Sequence, residues 1–161
     1  MAWPYLLILL VLAAALWAAY RLLGTPSRLA PSDYNVVLAD VATSVERAAS
    51  RLRLAIETGD GDLEDAAKAA RKIFQTGYYQ TLRLRPSSGP DAAAGARAGL
   101  GRACEAYDWA SRMLASESGR NPLVLDAARR LLDAGDAALT QAARELPPAP
   151  AAPRESSGPS R

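Results

Sequence analysis

The chain is poor in the residues on which most enzyme sites depend. Its 161 residues include no histidine, one cysteine, Cys104, and one phenylalanine, Phe74. Without histidine there is no Ser-His-Asp triad, no Cys-His pair and no histidine-ligated zinc or haem. One cysteine excludes an intramolecular disulfide and a CxxC redox motif. The sequence therefore predicts a protein that is not an enzyme, and we expect no cofactor and no metal.

The chain also lacks a strong excess of positive or negative charge. Lys and Arg number 19 and Asp and Glu 17, so the formal net charge is +2. Nucleic-acid-binding domains usually carry a strong positive excess on one face. We therefore expect no nucleic-acid partner. The length suits a single domain.

The first 23 residues contain a long apolar run. No charged side chain occurs from residue 3 to residue 20, and Arg21 is the first. A hydrocarbon core of roughly 30 Å needs about 20 apolar residues, and residues 3–23 have that length. Aromatic side chains mark both ends, where the membrane interfaces would lie: Trp3 and Tyr5, then Trp17 and Tyr20. The sequence predicts one transmembrane helix over residues 1–23.

A cleaved signal peptide is the alternative interpretation of this run. Small residues around Ala18 and Ala19 would suit a peptidase. Against it, no Lys or Arg precedes the run, which is also longer than the apolar part of a typical signal peptide. We therefore expect a retained anchor. Because Arg21 and Arg28 follow the span, the positive-inside rule places the bulk of the chain in the cytoplasm, with an extracytoplasmic bulk as the alternative.

Beyond the span, apolar residues recur every three or four positions, the spacing of one helix face. Gly24, Pro26 and Pro31 mark residues 24–32 as a linker. Helical patterns then cover four segments joined by short loops, at about 33–57, 62–85, 91–117 and 121–146. Short loops favour antiparallel neighbours, and no segment shows the alternation of a half-buried strand.

The predicted fold class is therefore all-α without β structure. A transmembrane anchor at 1–23 and the linker precede an antiparallel four-helix bundle at 33–146. Residues 147–161 are rich in Pro, Ala and Ser and have no apolar period, so we predict a disordered tail.

Two local patterns invite a chemical interpretation that their surroundings do not support. The segment GDGDLED at 59–65 holds four carboxylates, and calcium binds through several carboxylate oxygens. The EF-hand spacing is absent, however, so we interpret the cluster as the capped start of a helix. Cys104 lies in mid-helix without a neighbouring imidazole, so we interpret it as a small core or boundary residue.

The most distinctive patch is IFQTGYY at 73–79. Between residues 33 and 146 the chain has only six aromatic residues, and Phe74, Tyr78 and Tyr79 are three of them. One helix face cannot bury all three, and Gly77 costs about 1 kcal/mol of helix propensity. One interpretation makes Phe74 and Tyr78 core residues, with Tyr79 at the boundary. The functional hypothesis makes all three the main contact with a partner protein, because aromatic residues anchor many interfaces.

These observations favour a membrane-anchored helical interaction module, an accessory or scaffold subunit of a membrane-associated complex. The alternative is a membrane-anchored sensor or carrier with an apolar ligand between its helices. Such a bundle keeps a cavity lined by Leu and aromatic residues, whereas Ala-rich seams close it. A homo-oligomer through the span or the bundle is left open. A span before a bundle that opens with Tyr34-Asn35 resembles the LemA architecture, but the charged motif of that family is absent after Arg53, so no family property is transferred.

Overall fold

The fold was obtained as a computed structural model that describes residues 10–15, 17, 27–59 and 63–146. Within residues 27–59 and 63–146 the chain forms four helices, α1 (Pro31–Thr58), α2 (Leu63–Arg83), α3 (Ala94–Leu114) and α4 (Pro122–Glu145). Two short strands, β1 (Ser27–Leu29) and β2 (Leu84–Pro86), complete this part of the chain. The described chain is mostly helical, so the predicted all-α helical bundle is confirmed.

Proline, asparagine and glycine set several helix ends. Pro31 and Pro122 stand in the first turns of α1 and α4, where a missing N–H is tolerated. The Asn121 side chain accepts a hydrogen bond of 2.9 Å from the Leu123 backbone N–H and so caps α4. Gly59 ends α1 with φ at 64°, a left-handed conformation that glycine adopts without a Cβ clash.

Consecutive helices run antiparallel. Gly99 lies against Ala142, and Tyr107 lies against Gly135. Residue numbers that increase along α3 therefore face residue numbers that decrease along α4. The contacting pairs of α2 and α3 show the same order: Thr81 with Gly101, and Phe74 with Tyr107. The α1–α2 pair is antiparallel too, because β1 just before α1 pairs with β2 just after α2.

β1 and β2 form a parallel two-stranded sheet that the sequence pattern does not reveal. Ser27 pairs with Leu84, Arg28 with Arg85 and Leu29 with Pro86. Strands of three residues are too short to show an apolar–polar alternation. They pair because the bundle brings the start of α1 and the end of α2 to the same end. The prediction of no β structure is therefore wrong at residues 84–86 and at 27–29, within the predicted linker.

A partly buried polar cluster ties the helices together at this end. The Tyr34 hydroxyl, at the start of α1, donates a hydrogen bond of 3.1 Å to Asp91 Oδ1. The Arg97 guanidinium donates to Asp91 Oδ2, also at 3.1 Å, and to the Thr81 carbonyl at 3.2 Å. Burial raises the pKa of Tyr34, so its hydroxyl stays protonated and continues to donate. The cluster joins α1, α2 and α3 beside the small sheet.

Small residues allow the helices to approach closely. A Cβ at Gly77 would lie 3.0 Å from both Cys104 Sγ and Val45 Cγ2, so α2 packs tightly against α1 and α3 at that point. α2 continues as one helix through Gly77. Close packing thus explains why a glycine with low helix propensity occupies this buried position.

The predicted transmembrane segment lies mostly outside the described residues. Of residues 1–23, the structure describes 10–15 and 17, which are helical. Leu10, Val11, Leu12 and Trp17 are 60–65% exposed. Among the residues that the structure describes, no helix is long and apolar enough to cross a membrane. The anchor therefore stays a prediction, and the predicted disordered tail, 147–161, also lies outside the described residues.

Candidate functional site

The three aromatic residues of the predicted patch divide into one core residue and two surface residues. Phe74 is fully buried, and its ring stacks on Tyr107 with 5.0 Å between the centroids. Tyr78 is 36% exposed and Tyr79 is 63% exposed, and their rings meet edge to face at 6.3 Å. The Phe74 ring is thus closed to a partner, which corrects the three-residue hypothesis. Tyr78 and Tyr79 remain candidates for a surface contact.

Phe74 belongs to a chain of contacts that crosses the bundle. The Tyr107 hydroxyl donates a hydrogen bond of 2.6 Å to Asp136 Oδ1 on α4. The same carboxylate accepts a hydrogen bond from the Arg53 guanidinium on α1. Burial raises the pKa of Tyr107, and the Asp136 carboxylate raises it further, so the hydroxyl stays protonated. Since α1, α2, α3 and α4 each contribute one member, this cluster serves as a structural tie.

Antiparallel packing of α2 and α3 brings Trp109 and Arg112 next to the two surface tyrosines. Trp109 is 53% exposed, and the Arg112 guanidinium lies 5.0 Å from the centre of its ring, which is a cation–π contact. These side chains line a groove of about 250 Å³, here called the Tyr-Trp groove. Its lining residues are Gln75, Tyr78, Tyr79, Cys104, Glu105, Asp108, Trp109 and Arg112.

The Tyr-Trp groove contains two carboxylates in different surroundings. Asp108 forms ion pairs with Arg112 at 2.7 Å and with Arg71 of α2 at 3.3 Å, so its charge is balanced. Glu105 is exposed and has no ion pair within the described part of the chain. The groove therefore offers exposed aromatic rings beside one uncompensated negative charge.

Cys104 lies in the wall of the groove but belongs to the core. Its side chain is fully buried, and burial raises the pKa of the thiol to about 12. A thiol with such a pKa is protonated at neutral pH and is a poor nucleophile. Of the two predicted roles, core or boundary, the structure gives Cys104 the core role.

Two further grooves between helices have no aromatic residue in their linings. The groove between α1 and α4 has a volume of about 600 Å³ and is lined mainly by small and polar side chains, including Thr43, Glu46 and Asp136. The groove between α1 and α2, of about 380 Å³, is lined by residues such as Val41, Lys72 and Thr76. These linings differ from the Leu-rich and aromatic cavity expected of a carrier for an apolar ligand.

The other predicted positions add no second site to the described residues. Trp3, Tyr5, Tyr20 and Arg21 lie outside those residues, and Trp17 lies in the short helical stretch near the N-terminus. Within the described part of the chain, no group of His, Cys, Asp or Glu could hold a metal ion. Of the acidic cluster, Glu64 and Asp65 stand in the first turn of α2, where carboxylates favour the helix dipole.

Sequence reasoning did not assign Glu105, Trp109 and Arg112 to the site. They lie about 30 positions from the two tyrosines and join them only through the packing of α2 on α3. The pairing of Phe74 with Tyr107 was the missing information, because it fixes which residues of α3 face the tyrosines. Comparison of the chain with models of known families, with curated proteins and with solved structures finds no match.

Proposed function

We propose that this protein is a membrane-anchored, non-enzymatic interaction module that binds a partner protein through the Tyr-Trp groove. It serves as an accessory or scaffold subunit of a membrane-associated complex. The observation that carries the proposal is the exposure of Tyr79 and Trp109 by more than half, although aromatic residues are scarce in the bundle. Tyr, Trp and Arg are the residues that contribute most to the binding energy of protein interfaces, and this groove combines all three.

The chemistry of the chain supports binding over catalysis. The sequence has no histidine to act as a general base near pH 7. The Cys104 thiol is buried and protonated, and the Tyr107 hydroxyl is engaged with Asp136 inside the bundle. What remains at the surface of the groove is apolar area, one cation and one free carboxylate, which are means of recognition.

The membrane part of the proposal rests on the apolar run at residues 3–23 and on its aromatic and basic flanks. Exposed Leu10, Val11 and Leu12 in a helical stretch support it, because lipid would cover these side chains. Arg21 and Arg28 support a cytoplasmic bundle.

The topology is tested with reporters at the C-terminus. A fluorescent protein that folds only in the cytoplasm should fluoresce when it is fused after Arg161, and a periplasmic enzyme fused there should be inactive. The fused chain should also stay in the membrane pellet after alkaline carbonate washing. A dark fusion with an active periplasmic enzyme would reverse the orientation, and release by carbonate would overturn the anchor.

The docking role is tested by photo-crosslinking in native membranes. A photoreactive phenylalanine analogue in place of Tyr79 should give a defined adduct with a second protein. The same analogue at Leu123, which is 81% exposed at the start of α4, should give none. The adduct should disappear when Trp109→Ala is added, while the melting temperature barely changes, since surface substitutions usually shift stability by less than about 0.5 kcal/mol.

Two results would overturn the docking role. Adducts of the same protein at both positions would show contact without a specific surface. Adduct formation that survives Trp109→Ala would place the contact outside the Tyr-Trp groove.

A further inference from the structure

The two short strands place two arginines side by side on the surface. β1 and β2 run parallel, and Arg28 pairs with Arg85 in register. Neighbouring strands lie about 4.8 Å apart, and successive side chains of a strand point to opposite faces. Leu84 is buried and Leu29 packs on the core. The two arginines, which alternate with these leucines, therefore both lie on the outer face of the sheet.

No carboxylate balances this pair of charges. Neither Arg28 nor Arg85 forms an ion pair within the part of the chain that the structure describes, and exposed Arg83 forms none there either. The Arg85 guanidinium donates a hydrogen bond of 2.6 Å to the Leu84 carbonyl, which leaves its positive charge in place. Like charges directly opposite each other on two strands are destabilising, so this arrangement favours a bound anion.

Three acidic residues lie near the same end of the bundle, and each has another role. The Asp91 carboxylate pairs with Arg97 at 3.1 Å. Asp33 lies in the first turn of α1, where a carboxylate favours the helix dipole. Glu145, at the end of α4, accepts a hydrogen bond of 2.8 Å from the Gln141 side chain. The charges of the surface arginines therefore remain uncompensated.

The opposite end of the bundle has the opposite charge. Residues 57–65, where α1 ends and α2 begins, contain five carboxylates and no basic residue. Residues 115–121, between α3 and α4, contain one carboxylate and one arginine. Because consecutive helices are antiparallel, α1 and α3 both end away from the sheet. A negatively charged surface therefore attracts the sheet end of the bundle and repels the other end.

We propose that the sheet end of the bundle lies on the membrane, where Arg28, Arg83 and Arg85 bind the phosphate groups of anionic lipids. This inference rests on the proposed function, because the proposed anchor brings this end to the bilayer. Arginine suits the role, since its planar guanidinium donates paired hydrogen bonds to phosphate oxygens. The acidic end then points away from the bilayer, and the Tyr-Trp groove, on the side of the bundle between α2 and α3, stays open to a partner.

The length of chain before β1 keeps the arginines near the lipid headgroups. The predicted span ends at residue 23, and Arg28 follows five residues later. At no more than about 3.5 Å per residue, these five residues cover at most about 17 Å. The headgroup region extends about 5–7 Å beyond the hydrocarbon core. Arg28 thus stays within about 12 Å of the headgroups, close to the distance over which charges interact in salt solution.

Fluorescence quenching by a labelled lipid tests this orientation in the full chain. Bimane is attached at Ser88→Cys, an exposed position two residues after β2, and a nitroxide on a lipid headgroup quenches bimane on contact. The chain is reconstituted in lipid nanodiscs, whose two faces have the same lipids, so an effect of a variant on membrane topology does not enter. The buried thiol of Cys104, with its pKa at about 12, does not compete for the label.

Quenching should depend on the charge of the lipid. Discs of phosphatidylcholine with about 30% phosphatidylglycerol, an anionic lipid, should quench the label at least about twofold more than discs of phosphatidylcholine alone. Each arginine near an anionic surface favours contact by about fivefold. Arg28→Gln and Arg83→Gln should therefore each reduce the difference between the discs, and the double variant should remove most of it. Bimane at Ser118→Cys, exposed between α3 and α4, should be quenched little in either disc.

Arg129→Gln is the matched control, because it makes the same charge change at an exposed position near the start of α4, away from the sheet. It should leave the quenching intact, and a loss equal to that of Arg28→Gln would overturn the inference by showing an effect of net charge alone. Equal quenching in the two kinds of disc would also overturn it. Reversal by inorganic phosphate at constant ionic strength would assign the arginines to a free anion and overturn the lipid contact.

The inference and the proposed function fail separately. A chain that enters neither kind of disc would overturn the anchor, and the lipid contact with it. A chain that enters both and shows equal quenching would keep its anchor and lose only the lipid contact. The partner is tested independently of the discs by the photo-adduct at Tyr79.

Discussion

Phe74→Ala is expected to lower the free energy of unfolding by about 3–5 kcal/mol, the usual cost of truncating a buried aromatic residue. Phe74 is fully buried, and its ring stacks on Tyr107, whose hydroxyl binds Asp136. Truncation therefore opens a cavity beside the residue that ties α3 to α4. Because domains of this size are stable by only about 5–15 kcal/mol, urea unfolding followed by circular dichroism will show the loss clearly.

Tyr79→Ala is the matched control in the same helix. Tyr79 is 63% exposed, so its truncation should change the free energy of unfolding by less than about 0.5 kcal/mol. Comparing Phe74→Ala with Tyr79→Ala thus distinguishes a core residue from a surface residue within one patch. If Phe74→Ala proved as stable as the native chain, Phe74 would not be a core residue. It would then again be a candidate for the contact with a partner protein.

The helices could be predicted from the sequence because their signals are local. Apolar residues spaced by three and four define α1 to α4 to within a few residues, and Asn121-Pro122 and Gly59 act as their caps and breaks. Each of these signals depends on residues within a turn or two of one another. The parallel pairing of β1 with β2 has no local signal, because it depends on how α1 and α2 are arranged.

The aromatic site could be predicted only in part, for the same reason. Phe74 and Tyr79 are five positions apart, and helical spacing alone shows that they face different directions without showing which one faces the core. The contact of Phe74 with Tyr107 decides this. It also brings Trp109, from a distant part of the sequence, to the exposed tyrosines, so the groove appears only after the helices are packed.

Gly135→Val is expected to destabilise the bundle by about 3 kcal/mol, combining overpacking with the loss of a hydrogen bond. A Cβ at Gly135 would lie 2.6 Å from Cδ1 and 2.8 Å from Cζ of Tyr107, closer than real Cβ contacts. The Tyr107 ring has no free direction, since Phe74 stacks on it and Asp136 holds its hydroxyl at 2.6 Å. Thermal and urea unfolding of the full chain will measure the change.

Gly95→Ala is the matched control for this glycine. A Cβ at Gly95 would meet only the end of the Glu145 side chain, which can swing away. Gly95→Ala should therefore raise the free energy of unfolding by up to about 1 kcal/mol, the gain in helix propensity. If Gly135→Val were stabilising as well, helix propensity would outweigh packing at the α3–α4 contact. Opposite signs at the two glycines would show that the close approach of α3 and α4 requires a residue without a side chain opposite Tyr107.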